Sequence, residues 1–333
     1  MRTLLGVGFA YLVLLPLAAW LMVWHEAPDQ ALLNVSYDPT RELWRDLNRA
    51  FIAHEEKETG RRIAVNQSHG GSGSQARSVI DGLEADVVSL ALWSDTDAIR
   101  EQGLIAASWE ERLPNRSLPY YSTIVFVVRE GNPKSIHDWD DLVKAGVTVI
   151  TPNPKTSGNG KLTLLSAWGA KLLQTKSEAE AERFVTELYR HAPILDAGAR
   201  GSAMTFTQKT IGDVHIAWEN EAHLEVRESG NRLQVVYPSR SIKAEPHVAI
   251  VDAVVDRKGT RDVAERYLKF AYSDAAQEII AKHYYRPSND AKRDRSVLPD
   301  LELFDIKALS PGWEEANKRF FGDGRVFDRI YQK

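Results

Sequence analysis

Ten residues, 67–76 (QSHGGSGSQA), constrain this chain more than any other stretch. They follow a strand-like run at 62–65 and open a helix predicted to reach Glu84. A Gly-rich turn that feeds a helix gathers unpaired backbone N–H groups at the positive end of a helix dipole, which makes a ready anion site. The phrase supplies no nucleophile with its base and no metal ligand set. What it offers is a way to hold an oxyanion.

The flanking pattern places this turn in an α/β domain. A strand is predicted at 32–36, then a helix that Asp38 caps and Pro39 enters at its first turn. Leu43, Leu47, Phe51 and Ile52 give that helix an apolar face, and it ends near Gly60. After the Gly-rich turn and its helix, 87–92 reads as a strand, with Asp95 in a polar turn beyond it. Strand, helix, strand, helix, strand is the order of a mainly parallel sheet. A second α/β stretch follows. It has strands at 122–129, 147–150 and 214–218, a helix at 162–173, and polar turns at 156–160 and 196–202. A late strand is predicted at 250–255 and a helix at 260–272. With 333 residues there is length for two lobes, and a cleft between two α/β lobes is a usual ligand site.

The N-terminus adds a location. Arg2 precedes an almost uninterrupted apolar run at 4–24, which reads as an export signal. The run exceeds the roughly 7–15 residues of a typical signal core and approaches the ~20 that span a bilayer. Cleavage after Ala27 would place His25 where a small residue is preferred, with Pro28 just after the cut. A cleaved signal peptide and a retained membrane anchor both remain open, so membrane contact through residues 4–24 is an expectation.

Several chemistries fail on residues. A net charge of −4 gives no basic face for nucleic acid. The absence of cysteine removes disulfides and thiolate sites. Gly71-Ser72-Gly73-Ser74-Gln75-Ala76 fits a loose dinucleotide pattern, but the next strand does not end on the acidic residue a ribose needs. Gly158-Asn159-Gly160-Lys161 is not a P-loop, because Lys155 stands at the first glycine position and Leu162 at the magnesium-binding hydroxyl. No histidine pair has ligand spacing, so no metal and no cofactor is expected. No G-x-S-x-G elbow is present. Three Gly/Ser turns remain, around Ser72, Ser157 and Ala199, each opening a helix, and Trp218 ends a short strand with a donor-only indole.

With these residues in line, the chain closely resembles the periplasmic sulfate-binding proteins of sulfate/thiosulfate ABC importers. The phrases that carry the resemblance are 33–43 (LNVSYDPTREL), 67–73 (QSHGGSG), 122–126 (STIVF), 149–155 (VITPNPK), 196–201 (DAGARG) and 211–221 (IGDVHIAWENE), with Tyr285-Arg286-Pro287 and Gly312-Trp313 further on. The resemblance implies an α/β, two-lobed solute-binding fold with hinge strands, preceded by the apolar signal or anchor helix. Residues 1–30 would be that segment with its linker. Lobe one would be 32–118 plus about 250–310, and lobe two about 119–249 plus the tail 311–333. The crossovers would lie near 120–129 and 242–255.

The implied role is not enzymatic. It is to bind sulfate, or thiosulfate, in the periplasm or another extracytoplasmic space and deliver it to the permease subunits of an importer. A membrane-anchored oxyanion sensor, a binding protein for another tetrahedral oxyanion and a nucleotide-dependent enzyme are the alternatives. In the family a dehydrated dianion is held by N–H groups, a serine hydroxyl and an indole, with no salt bridge. The matching positions are the N–H of Asp38, then Ser72, Ser157, Gly158, Ala199 and Trp218. Asn159 stands where the family usually has glycine, and can still give its N–H. Lys161 replaces an arginine and Leu162 an aromatic residue; both alter the rim of the second lobe.

Overall fold

The computed structural model describes residues 27–230 and 232–331. The apolar run at 4–24, with the expectation of a signal or anchor helix, lies outside the described residues. Strand β1, Gln30–Tyr37, is buried over most of its length. A single 3-10 turn, Asp38–Thr40, takes it into α1, Arg41–Thr59, which buries Leu43, Leu47 and Phe51. Gly60 ends α1 at φ +69°, the left-handed cap that glycine adopts without strain. Then come β2, Ile63–Gly70, and α2, Ser72–Ile80. Helix α2 stops short of the predicted Glu84 because Gly82 turns the chain at φ +109°. Strand β3 is only Val87–Ser89. Asp95 is not in a turn. It sits in the first turn of α3, Trp93–Glu101, where a carboxylate suits the helix dipole.

Two short strands follow, β4 at Tyr120–Tyr121 and β5 at Ile124–Arg129. Next are β6, Val149–Pro152, α4, Gly158–Thr175, and α5, Glu178–Arg190. They are followed by β7, Ile194–Asp196, α6, Ala199–Thr207, β8, Val214–Trp218, and α7, Glu219–Glu228. The chain returns through β9, Leu233–Val236, β10, Arg240–Ile242, and β11, Val248–Ile250. The strand predicted at 250–255 ends at Ile250. Asp252 instead opens α8, Asp252–Lys258, where it accepts from the Ala106 N–H at 2.8 Å and pairs with Arg112 at 2.7 Å and Arg261 at 2.9 Å. Helices α9, Arg261–Phe270, and α10, Asp274–Lys282, follow, then β12, Arg286–Pro287, and β13, Glu302–Phe304.

Two sheets organise these elements. The first has the order β11-β3-β1-β2, parallel except for β11. The second has the order β7-β6-β8-β5-β9, with β6, β7 and β8 parallel and β5 antiparallel to β8 and β9. Strand β4 pairs with β12, and Ser122 bridges to Ala244, between the two sheets in sequence. Each sheet has its own core. Leu32, Leu47 and Phe51 pack with Tyr267, Leu268 and Ile280 from the late helices. Phe126, Leu164 and Trp168 pack with Phe304, Ile306, Leu309, Phe320 and Phe327 from the C-terminal segment.

Register positions the functional end of both sheets. In the β1–β2 ladder Tyr37 pairs with Gly70, so Asp38 and Ser72 leave adjacent strands at the same level. In the β6–β7 ladder Pro152 pairs with Asp196, which sets the turns leading to Ser157 and Ala199 side by side. Ligands in α/β sheets sit beyond such carboxyl ends of parallel strands.

Candidate anion-binding site

One cavity of about 360 Å³ is lined by both lobes. Tyr37, Asp38, Gly70, Gly71 and Ser72 come from the first, and Ser157, Gly158, Asn159, Ala199 and Trp218 from the second. All seven residues singled out from the sequence line it: Asp38, Ser72, Ser157, Gly158, Asn159, Ala199 and Trp218. The reason lies in the local fold. Ser72 is the first residue of α2, Gly158 of α4 and Ala199 of α6, and Asp38 opens the 3-10 turn ahead of α1. N–H groups in a helix's first turn have no intrahelical acceptor. Four helix beginnings therefore aim donors and positive dipole ends at one volume.

The lining carries no lysine, arginine or histidine. Its single carboxylate, Asp38, is paired with Arg41 at 3.1 Å. Ser157 caps α4: its Oγ accepts from the Gly160 N–H at 3.3 Å, which leaves the hydroxyl proton to donate. Trp218 is 1% exposed and lies 5.5 Å from the Tyr37 ring, while its indole N–H has no protein acceptor among the described residues. Gly158 stands at the meeting of the lobes, where a Cβ would come 3.3 Å from the Ala91 Cβ.

Two side chains behave differently from the plainest reading of the sequence. The Ser72 hydroxyl is already engaged. It donates to Asp95 Oδ2 at 2.5 Å and accepts from the Ala91 N–H at 2.9 Å. Ser72 thus faces the cavity as a backbone donor. Burial raises the Asp95 carboxyl above its usual range, and Lys161 and the Ser72 hydroxyl oppose that rise. Sequence reasoning missed Asp95, since nothing in the order of residues marks a contact between positions 23 apart. Asn159 is 3% exposed; its Nδ2 lies 3.5 Å from the Ile216 carbonyl on β8, and its Oδ1 is buried without a partner. Lys161 donates to Asn317 Oδ1 at 3.2 Å, and Leu162 is fully buried in the second core.

The second and third turns brace each other. The Asn153 N–H donates to the Asp196 carbonyl at 2.8 Å, and the Thr156 hydroxyl to the Ala197 carbonyl at 2.8 Å. Nearby, burial, with Glu225 beside it, pushes the Glu221 carboxyl up to about 8, which favours its protonated form at pH 7. Glu219 is buried in a two-pronged pair with Arg286, at 2.7 and 2.8 Å. The cavity thus presents donors, and its one lining carboxylate, Asp38, is paired with Arg41.

Residues 33–286 match the family model described as bacterial extracellular solute-binding protein. The sulfate-binding protein of Escherichia coli (strain K12) is 53% identical over 332 residues, covering 98% of this chain and 99% of that protein. The chain belongs to the sulfate-binding protein family. Within it, the thiosulfate-binding protein of Pseudomonas aeruginosa is 48% identical over 306 residues, covering 91% of this chain and 92% of that one. Among solved structures, the sulfate-binding protein SubI of Mycobacterium tuberculosis superposes with a TM-score of 0.78 at 31% identity, over 86% of this chain and 98% of that one. The two-lobed architecture is therefore that of a known family, and its members bind solutes outside the cytoplasm.

Proposed function

We propose that this protein binds one sulfate dianion, or thiosulfate, in the cleft and delivers it to an ABC importer outside the cytoplasmic membrane. The observation that carries this reading is a cavity lined by helix-start N–H groups, a serine hydroxyl and an indole, with no cationic side chain and with its one carboxylate, Asp38, paired with Arg41. Sulfate carries no proton at neutral pH and needs donors alone. Hydrogen phosphate must also donate, and leaving its proton unpaired would cost about 1–3 kcal/mol.

The site residues proposed are the N–H groups of Asp38, Ser72, Gly158, Asn159 and Ala199, the hydroxyl of Ser157 and the indole of Trp218. The proposed lobes are 32–118 with about 250–300, and about 119–249 with the tail from Glu302; packing of Phe304, Ile306 and Leu309 with the second sheet supports the last boundary. Closure at the crossover strands would bring the two halves of the site together. The role is binding rather than catalysis, and no step in it requires a metal or cofactor.

Among the described residues no helix is long and apolar enough to cross a membrane. Equilibrium dialysis of the purified protein against radiolabelled sulfate, with unlabelled thiosulfate as competitor, tests the reading. Saturable one-to-one binding supports it. Absence of sulfate and thiosulfate binding by folded protein would overturn it.

A further inference from the structure

We infer that the C-terminal segment 317–328 is a clamp that fixes the position of the second anion turn, with Lys155 and Asp328 as positioning residues. The inference rests on the reading of the cavity as an anion site. Lys155 lies in the loop between β6 and Ser157 but does not line the cavity. Its Nζ donates to the Phe321 carbonyl at 2.9 Å, to the Gly322 carbonyl at 3.4 Å and to Asp328 Oδ2 at 2.9 Å. Asp328 Oδ2 also accepts from the Gly324 N–H at 2.7 Å, so one carboxylate ties the lysine and the tail's own loop together. Six residues further on, Lys161 Nζ reaches Asn317 Oδ1 at 3.2 Å and lies 5.4 Å from the Phe321 ring centre. The two lysines bracket Ser157, Gly158 and Asn159, and both end on the same short piece of tail.

That piece is rigidly seated. Residues Asn317–Phe321 form a π-helical turn, a geometry found often at functional sites. Phe320 and Phe321 are buried in the second core, with Phe320 5.1 Å from the Trp168 ring. Loop donors must converge on one small anion, so a shift of the turn that lengthens or bends several hydrogen bonds at once weakens each of them. A lysine held by three acceptors on a packed base sets the turn's position without touching the ligand.

The experiment measures sulfate affinity and dissociation rate for the full protein and its variants, with the melting temperature of each without ligand. Asp328→Asn keeps the charge of Lys155 and removes its nearer anionic partner, leaving Asp323 Oδ1 at 3.6 Å on an exposed side chain. It is expected to weaken binding by about tenfold through faster release, with little change in melting temperature, because Asp328 is partly exposed. Asp328→Glu is expected to restore affinity. Lys155→Met combined with Asp328→Asn should bind no more weakly than either single variant, since both break one tether. Asn317→Ala, which frees the other lysine, should shift affinity in the same direction.

Unchanged affinity in Asp328→Asn and Asn317→Ala would overturn the clamp. So would tighter binding in Asp328→Asn, because Lys155 would then act only as a masked charge. Sulfate binding by the unaltered protein in the same titration tests the anion reading separately.

Discussion

Trp218 shows how much one side chain's neighbourhood decides. In sequence it is an aromatic residue ending an apolar strand, the signature of a core position. In the fold it is as buried as a core residue, yet it lines the cavity beside Tyr37 with no acceptor for its N–H among the described residues. Trp218→Phe keeps most of the ring packing and removes one buried donor, so sulfate affinity should fall by about tenfold or more; affinity equal to the unaltered protein would remove Trp218 from the site. Glu221 yields a pH prediction. Burial raises its carboxyl from the ordinary 4.5 to about 8, so the folded chain holds a proton that the unfolded chain releases. Stability contributed at this position is present below the unfolded value and is lost as pH rises toward about 8. Glu221→Gln should therefore melt above the unaltered protein, by a margin that widens as pH climbs through that window. A margin independent of pH would contradict the assignment. Such roles were only partly legible beforehand. Ser72, Ser157 and Ala199 are marked by turn chemistry that is local in sequence. The Ser72–Asp95 bond and the buried pairing of Glu219 with Arg286 are contacts across 23 and 67 positions that no local pattern encodes.

Elements were legible where glycines, caps and apolar spacing agreed. Helix α1 and strands β1 and β8 lie close to where their patterns place them. The misses have physical causes. Helix α3 carries Asp95 in its first turn, which reads as a polar turn until a helix dipole is there to favour it. The run 250–255 is apolar enough for a strand, but Asp252 finds Arg112, Arg261 and the Ala106 N–H only as the first residue of α8. The start of α4 depends on close backbone approach. A Cβ at Gly160 would stand 2.6 Å from the Pro152 carbonyl oxygen and 2.7 Å from Asn153 and Pro154 backbone atoms. Gly160→Ala must push the helix off the end of β6, so it should cost about 1–3 kcal/mol of stability and weaken sulfate binding at the same time. Thermal melts and dialysis on the same preparation check both. Unchanged melting would show that the loop yields freely.

At the scale of the molecule, the site comes from two registers and from the facing of two sets of turns. Each sheet ends its parallel strands level, so paired turns emerge together, and the chain's crossings let the two sets of turns face each other. A protein with net charge −4 can then offer a dianion the positive ends of three helices and the N–H groups of a 3-10 turn in place of cationic side chains. Compensation by N–H groups also bears on selectivity: among the lining residues the Asp38 carboxylate is paired with Arg41 and the buried Asn159 Oδ1 has no partner, so an anion that carries a proton finds few places to donate it. The most direct test is calorimetric titration of the purified protein with sulfate and with phosphate at neutral pH. The account predicts tight one-to-one sulfate binding and phosphate weaker by at least about fivefold, the minimum that an unpaired buried proton imposes. Phosphate binding as tight as sulfate would contradict it, because an acceptor such as Asn159 Oδ1 would then have to take the proton.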